Sequence, residues 1–496
     1  MKFKELTLGF PDSEIEFNRK PEIFDRAFYD PKEYIDKLSD FNNPKAILIG
    51  RKGVGKTAYS AKIRREFNSY SKGKSVRIDL SSIPYVSFSK ISNIKGDVDG
   101  AQRHLHSWNI LLIFEILSNL DIEEIAGNKN NFKKLKKLYK ELGFSSDLTQ
   151  NVLLASKKQF KVRFFNQEID LTHDPKGPGE SISFSNIIDM SKYIQKLFQT
   201  LEIQSPLILM IDGVDDVLRV KKQTRDVLAG LVRSTFNLNE DSYKYHNLVK
   251  LLIMIRDDII KTINDPDFNK IIESTSYKLN WYDKDGKPDL LHLLNLRFQL
   301  SAQLKSVNVT NDPLAIWNKF FPVRIDSKSI NSWEYFLEHT MYRPRDVLQF
   351  INRFAEDYPN AEKIQINEFK DELKKYSQNY FIGEMNNELS GFISDDLIQE
   401  LPSILQDLSS NSFSYAEFSE AVDNSLVEDV NKKHLLSILF DLGYIGMLRD
   451  VKKRNPNTRK IESKTYVNFK HKDTRLKLDL SNRLLIHKGL FSALNI

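Results

Sequence analysis

Gly50-Arg51-Lys52-Gly53-Val54-Gly55-Lys56-Thr57 is a complete GxxxxGK[ST] pattern, and it restricts the fold more than any other stretch of this chain. Such a loop works only between a buried strand and the start of a helix. Ala46-Ile47-Leu48-Ile49 before it reads as a buried parallel strand. Ala58 through Phe67 after it carries Ala58, Ala61, Ile63 and Phe67 for an inward helical face. The glycines let backbone N–H groups wrap a phosphate chain, and the helix N-terminus adds positive potential. Lys56 is spaced to reach the β- and γ-phosphates, and Thr57 to place its hydroxyl on Mg²⁺. The stretch Gly50 through Ala58 therefore predicts a nucleoside triphosphate and Mg²⁺ as ligands. ATP is expected over GTP, since no guanine-reading motif accompanies the loop.

A second landmark lies about 150 residues later. Leu207-Ile208-Leu209-Met210-Ile211-Asp212 is an apolar strand ending in an acid. The carboxyl ends of parallel strands line the ligand crevice, so Asp212 is expected beside the Mg²⁺ held by Thr57. Asp215 and Asp216 follow within one turn, and one of them is a candidate for orienting the attacking water. A third strand, Leu248 to Ile255, is closed by Arg256, where a residue sensing the γ-phosphate would stand. Val76 to Leu80 and Tyr277 to Trp281 supply two more strands, and helices fall between them. That alternation predicts an α/β fold with a parallel sheet covered on both faces.

Composition bounds the class. With 496 residues, 41% of them hydrophobic and 28% charged, the chain has room for two to four domains. The net charge of +6 permits contact with nucleic acid without demanding it. No cysteine is present, which excludes disulfides, thiol catalysis and cysteine-bound zinc and suits a reducing compartment. The start, MKFKELTLGF, lacks the apolar core of a signal peptide, and the run Ile110 to Leu117 is too short to span a bilayer. A soluble, cytoplasmic protein without membrane contact is the expectation.

Four segments follow from these patterns. Residues 1–45, rich in aromatics, form a lead-in to the nucleotide site. Residues 46–289 form the nucleotide-binding core, with an insertion at about 145–183 in which Gln159 to Leu171 alternates like a hairpin. Residues 290–390 are a helical lid, in which Tyr342-Arg343-Pro344-Arg345 opens a helix. Arginines at a helix start oppose the dipole unless an anion docks there. Residues 391–496 read as three short helices and two antiparallel strands.

Taken in order, GRKGVGKT, LILMIDGVDD, LLIMIR and YRPRDVLQF resemble the AAA+ and STAND branch of P-loop ATPases over nearly the whole chain. The resemblance is nearest to a little-described bacterial group with IGRKG-type loops. It implies that Asp212, with Asp215 or Asp216, serves Mg²⁺ and the attacking water. It places Arg256 at the sensor 1 position and Arg345 at the sensor 2 position. Many AAA+ proteins carry a glutamate directly after the first acid; here that place is Gly213, as in STAND proteins.

The C-terminal segment then reads as a winged helix. Its wing carries Lys452, Lys453, Arg454, Arg459 and Lys460, and residues 451–496 are net basic while 391–450 are net acidic. A basic wing suits nucleic-acid phosphates, although winged helices of STAND-like proteins also serve as packing domains. His487 is expected to be structural. The leading expectation is an ATP-driven molecular switch, with the nucleotide setting the angle between lid and core. The resemblance implies a stress or antiviral-defence setting with a separate effector protein and a homo-oligomer as partners. A DNA-loading ATPase is the runner-up, and a nucleotide-binding scaffold with negligible turnover the third reading.

Overall fold

Leu207–Asp212 and Val249–Ile255 are apolar along almost their whole length, so a sheet containing them must be covered on both faces. The computed structural model describes the chain except for residues 70–72, 92–100, 158–164, 166, 172–180, 214–221, 262, 264–267, 283–288, 326–329, 409 and 455–460. The described chain divides into two units. One comprises Lys32–Lys52 and Lys56–Leu279; the other comprises Met1–Pro31, Gly53–Gly55 and Asn280–Ile496.

The first unit is an α/β layer built on a five-stranded, all-parallel sheet. Its strands are β1 (Ile47–Gly50), β2 (Lys74–Asp79), β3 (Leu207–Asp212), β4 (Val249–Ile255) and β5 (Ser276–Leu279). Their spatial order is β2-β3-β4-β1-β5. Ile49 pairs with Ile255, Ile211 with Ile253, and Asp79 with Asp212, so the carboxyl ends of the inner strands lie level on one edge. Every residue of β1, β3 and β4 is buried. Even Lys250 on β4 is buried, because its ammonium donates to the carbonyl oxygens of Asp40 and Asn43.

The helices α1 (Lys56–Ser69), α2 (Ala101–Ser118), α3 (Ile187–Phe198) and α4 (Lys222–Lys244) belong to the same unit. Trp108 of α2 is fully buried and donates its indole N–H to the Val227 carbonyl of α4 at 2.8 Å. Asn186 caps α3 by accepting from the N–H groups of Ile188 and Asp189. In the insertion, Glu168–Asp170 pairs antiparallel with Ser181–Ser183 across residues 172–180. The expected hairpin of Gln159 to Leu171 falls largely outside the described residues.

The second unit is mostly helical. The short helix Ser13–Arg19 buries Glu16, which pairs with Arg297 of α5 (Asp289–Phe298) at 2.7 Å. Around Trp317, the rings of Phe321, Phe336, Phe350, Phe354 and Phe369 form a continuous aromatic core. It is closed by α6 (Pro344–Asp357) and α7 (Ile366–Tyr376). A π-turn at Ser377–Phe381 carries the chain from α7 into α8 (Ile382–Leu389).

Three further helices follow, α9 (Asp395–Gln406), α10 (Tyr415–Asp423) and α11 (Lys432–Leu442). An antiparallel sheet joins β6 (Ser412–Phe413), β7 (Ile445–Arg454), β8 (Ile461–Asn468) and β9 (Leu484–Ile486) in the order β8-β7-β9-β6. Two of these strands, β6 and β9, are additional to the pair read from the sequence. Strand β7 also runs on through Arg454, so Lys452, Lys453 and Arg454, read from the sequence as part of a polar connection between two strands, belong to a strand. Arg459 and Lys460 lie outside the described residues. His487 is buried between the rings of Phe381 and Phe469 and accepts from the Gly489 N–H, a structural position. Among the described residues no helix is long and apolar enough to cross a membrane.

Candidate functional site

Strand β1 ends at Gly50 and helix α1 begins at Lys56, so the glycine-rich loop fills the gap between strand and helix. Gly53 and Gly55 sit at φ +78° and +101°, a region that residues with a Cβ rarely enter. The Lys56 side chain is buried. Its ammonium turns back to donate to the carbonyl oxygens of Gly50 and Arg51, both at 3.1 Å. Arg51, Lys52, Thr57 and Ala58 are half-buried, and Val54 is buried.

Helix α1 is keyed to the acidic strand. The Ser60 hydroxyl lies 3.6 Å from Met210 Sδ of β3. Thr57 is one turn before Ser60 on the same helix face, and Asp212 is two residues after Met210 on the same strand face. Asp212 is 5% exposed, and its Oδ1 accepts from the Gly213 N–H at 2.8 Å. Mg²⁺ takes one or two carboxylates together with substrate phosphates and waters, so the buried Asp212 carboxylate and the half-buried Thr57 hydroxyl are donors of the kind it takes. Three-carboxylate or histidine metal clusters are absent among the described residues.

Two partners of this site went unread in the sequence. Arg77 on β2 places Nη2 3.4 Å from Asp212 Oδ2 and 3.4 Å from Asp79 Oδ2. Parallel pairing of β2 with β3 sets Asp79 directly beside Asp212. Asp258 is the second. Arg256, 6% exposed at the end of β4, donates Nε to Asp258 Oδ1 at 2.9 Å and Nη2 to Asp258 Oδ2. Burial works against the Asp258 carboxylate, but Arg256 and then Lys56 hold its pKa below the ordinary range. Asp215 and Asp216 lie outside the described residues.

Within the second unit, the loop tip Gly53–Gly55 meets two elements. The Trp281 indole N–H donates to the Val54 carbonyl at 2.8 Å, and the Arg345 N–H lies 3.5 Å from the Gly53 carbonyl. Arg345 is half-buried in the first turn of α6. Arg343 precedes that helix in extended conformation (φ −119°, ψ 145°) and is fully buried, ion-paired to Asp346 and Glu388. The two arginines therefore differ in kind. The lead-in contributes Tyr29, whose ring neighbours Trp281 and His292 and whose hydroxyl lies 3.1 Å from Asp289.

Residues 288–382 match the model of the FunZ-associated C-terminal helical domain, a stretch running from α5 into the start of α8. Over 367 residues the chain is 21% identical to an 80.3 kDa protein ascribed to transposon gamma-delta in Escherichia coli (strain K12). The match takes in 72% of this chain and 48% of that protein, so the chain spans about half the length of the relative it matches.

Proposed function

We propose that the chain is a P-loop nucleoside triphosphatase that binds ATP with Mg²⁺ and hydrolyses it as a molecular switch. The observation that carries this reading is the Ser60–Met210 contact. It packs the helix that opens with Lys56 and Thr57 against the strand that ends in Asp212. The sheet order supports it too. Strand β4 stands between β1 and β3, so Arg256 ends the strand between the loop and the acid.

In this reading Lys56 exchanges its two loop carbonyls for oxygens of the β- and γ-phosphates. The Thr57 hydroxyl and the Asp212 carboxylate would hold Mg²⁺, which would supply positive charge to the phosphates. Arg256 faces the γ-phosphate from the end of β4. Arg345, in a helix turn that adjoins Gly53, supplies a second guanidinium that distinguishes ATP from ADP.

The test is equilibrium binding of a fluorescent ATP analogue, together with phosphate release, by the purified full chain. Lys56→Ala is expected to weaken binding by about 10- to 100-fold, the loss of a charge-assisted hydrogen bond. Asp212→Asn should retain nucleotide and lose Mg²⁺-dependent turnover. Wild-type binding in Lys56→Ala would refute the site.

A second reading concerns DNA as partner. The relative's printed name ties it to a transposon, and β7 of this chain carries Lys452, Lys453 and Arg454 in a row. We read α9–α11 and the β6–β9 sheet as a winged helix whose basic strand, with Arg459 and Lys460, meets phosphates. Replacing those five residues should then flatten the salt dependence of duplex binding.

A further inference from the structure

Tyr342 takes φ +54°, a left-handed conformation that a bulky side chain rarely adopts. It stands directly before Arg343-Pro344-Arg345, and that run meets the tip of the glycine-rich loop. The Arg345 N–H lies 3.5 Å from the Gly53 carbonyl. A Cβ built on Gly53 would come 3.3 Å from Arg343 Cδ and 3.5 Å from Arg345 Cβ, so the packing there is close. The backbone held at Tyr342 therefore leads straight into the turn that carries Arg345.

What holds Tyr342 comes from the far end of the sequence. The Lys472 ammonium sits 4.9 Å from the centre of the Tyr342 ring and 5.7 Å from that of Tyr282. Those two rings meet edge to face at 5.0 Å. Glu338 fastens the same lysine, accepting from Lys472 at 3.0 Å and from Lys488 at 3.1 Å. The Tyr342 hydroxyl donates to Glu338 Oε1 at 3.4 Å, and the His471 ring lies 6.0 Å from the Tyr342 ring. Burial works against the Glu338 carboxylate, but Lys472 and then Lys488 bring its pKa down to about 2, so the clamp stays charged at neutral pH. There is space for another arrangement of the ring. A cavity of about 700 Å³ is lined by Tyr282, Glu338, Tyr342 and Lys488 among others.

We propose that Tyr342 is a positioning residue for Arg345, clamped by Lys472, and that the C-terminal segment thereby sets the preference for ATP over ADP. This rests on the ATPase reading above, in which Arg345 distinguishes the two nucleotides. With Lys472 over the ring, Tyr342 keeps its left-handed backbone and Arg345 stays beside the loop tip. With the lysine withdrawn, the strained backbone relaxes, the ring turns into the cavity and Arg345 shifts away from Gly53. The two arrangements are discrete, and the lysine favours one of them by its differential contact.

The experiment uses the full chain as wild type, Lys472→Met, Lys472→Arg, Arg345→Ala and the double variant Lys472→Met/Arg345→Ala. ATP and ADP each compete with the fluorescent ATP analogue in the presence of Mg²⁺, and thermal melting is followed in parallel. Lys472→Met is expected to weaken ATP by about fivefold and to leave ADP within about twofold, a loss of the size of one cation–π contact. Lys472→Arg keeps a cation over the rings and should retain the wild-type ratio. In the Arg345→Ala background Lys472→Met should change neither affinity, because its effect passes through Arg345. A purely structural role would lower the melting temperature and weaken both nucleotides alike in both backgrounds. That result would overturn the proposal, as would an unchanged ratio in Lys472→Met. Should Lys472→Met melt too early for binding to be read, Tyr342→Gly removes the ring, accepts the left-handed backbone and carries the same expectation and the same refutation. A wild type that binds ATP and ADP equally would overturn the proposal and leave nucleotide binding standing. One that binds neither would instead refute the ATPase reading itself.

Discussion

Replacing Arg343 with methionine should destabilise the helical unit by about 3 kcal/mol, while leaving the preference for ATP over ADP unchanged. Arg343 is 1% exposed and carries a dense set of bonds. Nε donates to both oxygens of Asp346 at 3.1 and 3.0 Å, and Nη1 donates to Glu388 Oε1 at 2.6 Å. The Asp346 and Glu388 side chains are themselves 0% and 3% exposed. Burial alone would make such a guanidinium easier to deprotonate, but Asp346 and then Glu388 raise its pKa above the ordinary arginine value. Removing one partner of a buried ion pair costs about 3–5 kcal/mol, because the remaining charge stays buried. Here the carboxylates keep other donors: the Met341 N–H and Tyr380 hydroxyl on Asp346, and the Tyr444 hydroxyl on Glu388. Those donors place the loss near the low end of the range. Methionine retains most of the packed volume, so the cavity contribution is small. Urea unfolding, followed by a probe in the aromatic core, reads the change in midpoint at constant slope. A loss below about 1 kcal/mol would refute the reasoning, as would a wild-type-sized loss of Glu388→Gln in the Arg343→Met background, since coupled partners must be non-additive.

Arg345→Ala should do the reverse, narrowing the ATP-over-ADP affinity ratio by about tenfold with little change in unfolding, because the residue is half-buried in the first turn of α6. An unchanged ratio in competition binding would remove it from the sensing role. Glu115→Gln should stabilise the sheet unit at pH 8 and leave it unchanged near pH 4. Burial pushes the Glu115 carboxyl up to about 7, against a hydrogen bond from Asn119. A raised carboxyl pKa contributes stability that is present below the unfolded value and is lost as pH rises toward the folded one. The gain at pH 8 is about 3 kcal/mol at most, and a thermal melt series across pH 4–8 that shows parallel curves for the two proteins would contradict it.

What the sequence made legible was governed by local pattern. The inner strands β3 and β4 stand out as continuous apolar runs because both their faces are buried, and the glycine-rich loop stands out because its chemistry is contiguous. Arg77 and Asp79 were silent for the opposite reason. They lie about 130 residues before Asp212 and join it only through the sheet order, which sequence spacing does not encode. Asp258 was closer to being readable, two residues after Arg256, where a charged neighbour could have been weighed as its partner. Arg345 was set apart from Arg343 in the sequence, since Pro344 leaves Arg343 outside the helix, but the ion pairing of Arg343 was not read. The distinguishing signal was Asp346, three residues after Arg343, together with Glu388, which only the packing of α8 brings near. The extension of β7 through Arg454 was hidden because its residues are polar, and polar strands resemble turns in a pattern reading.

The cations of the sheet unit's site share a property that bears on how a switch there would work. Lys56 is satisfied by two carbonyls of its own loop, Arg256 by both oxygens of Asp258, and Arg77 stands between Asp212 and Asp79. None of these arrangements resembles a set of charges held open for phosphate. A nucleotide entering must therefore replace existing partners, and the free energy it gains is the difference between the new contacts and the old. For Lys56 the exchange is favourable with either nucleotide, since phosphate oxygens are better acceptors for an ammonium than neutral carbonyls. For Arg256 the exchange is between two anions, and Asp258 is already desolvated and bidentate. In the proposed site a β-phosphate alone would not break that pair, while a γ-phosphate would bring additional negative charge to the end of β4. A ligand shifts an equilibrium only by its differential affinity. In the proposed ATPase the Arg256–Asp258 pair would thus convert one phosphate group into a choice between two discrete arrangements, with Asp258 setting the threshold.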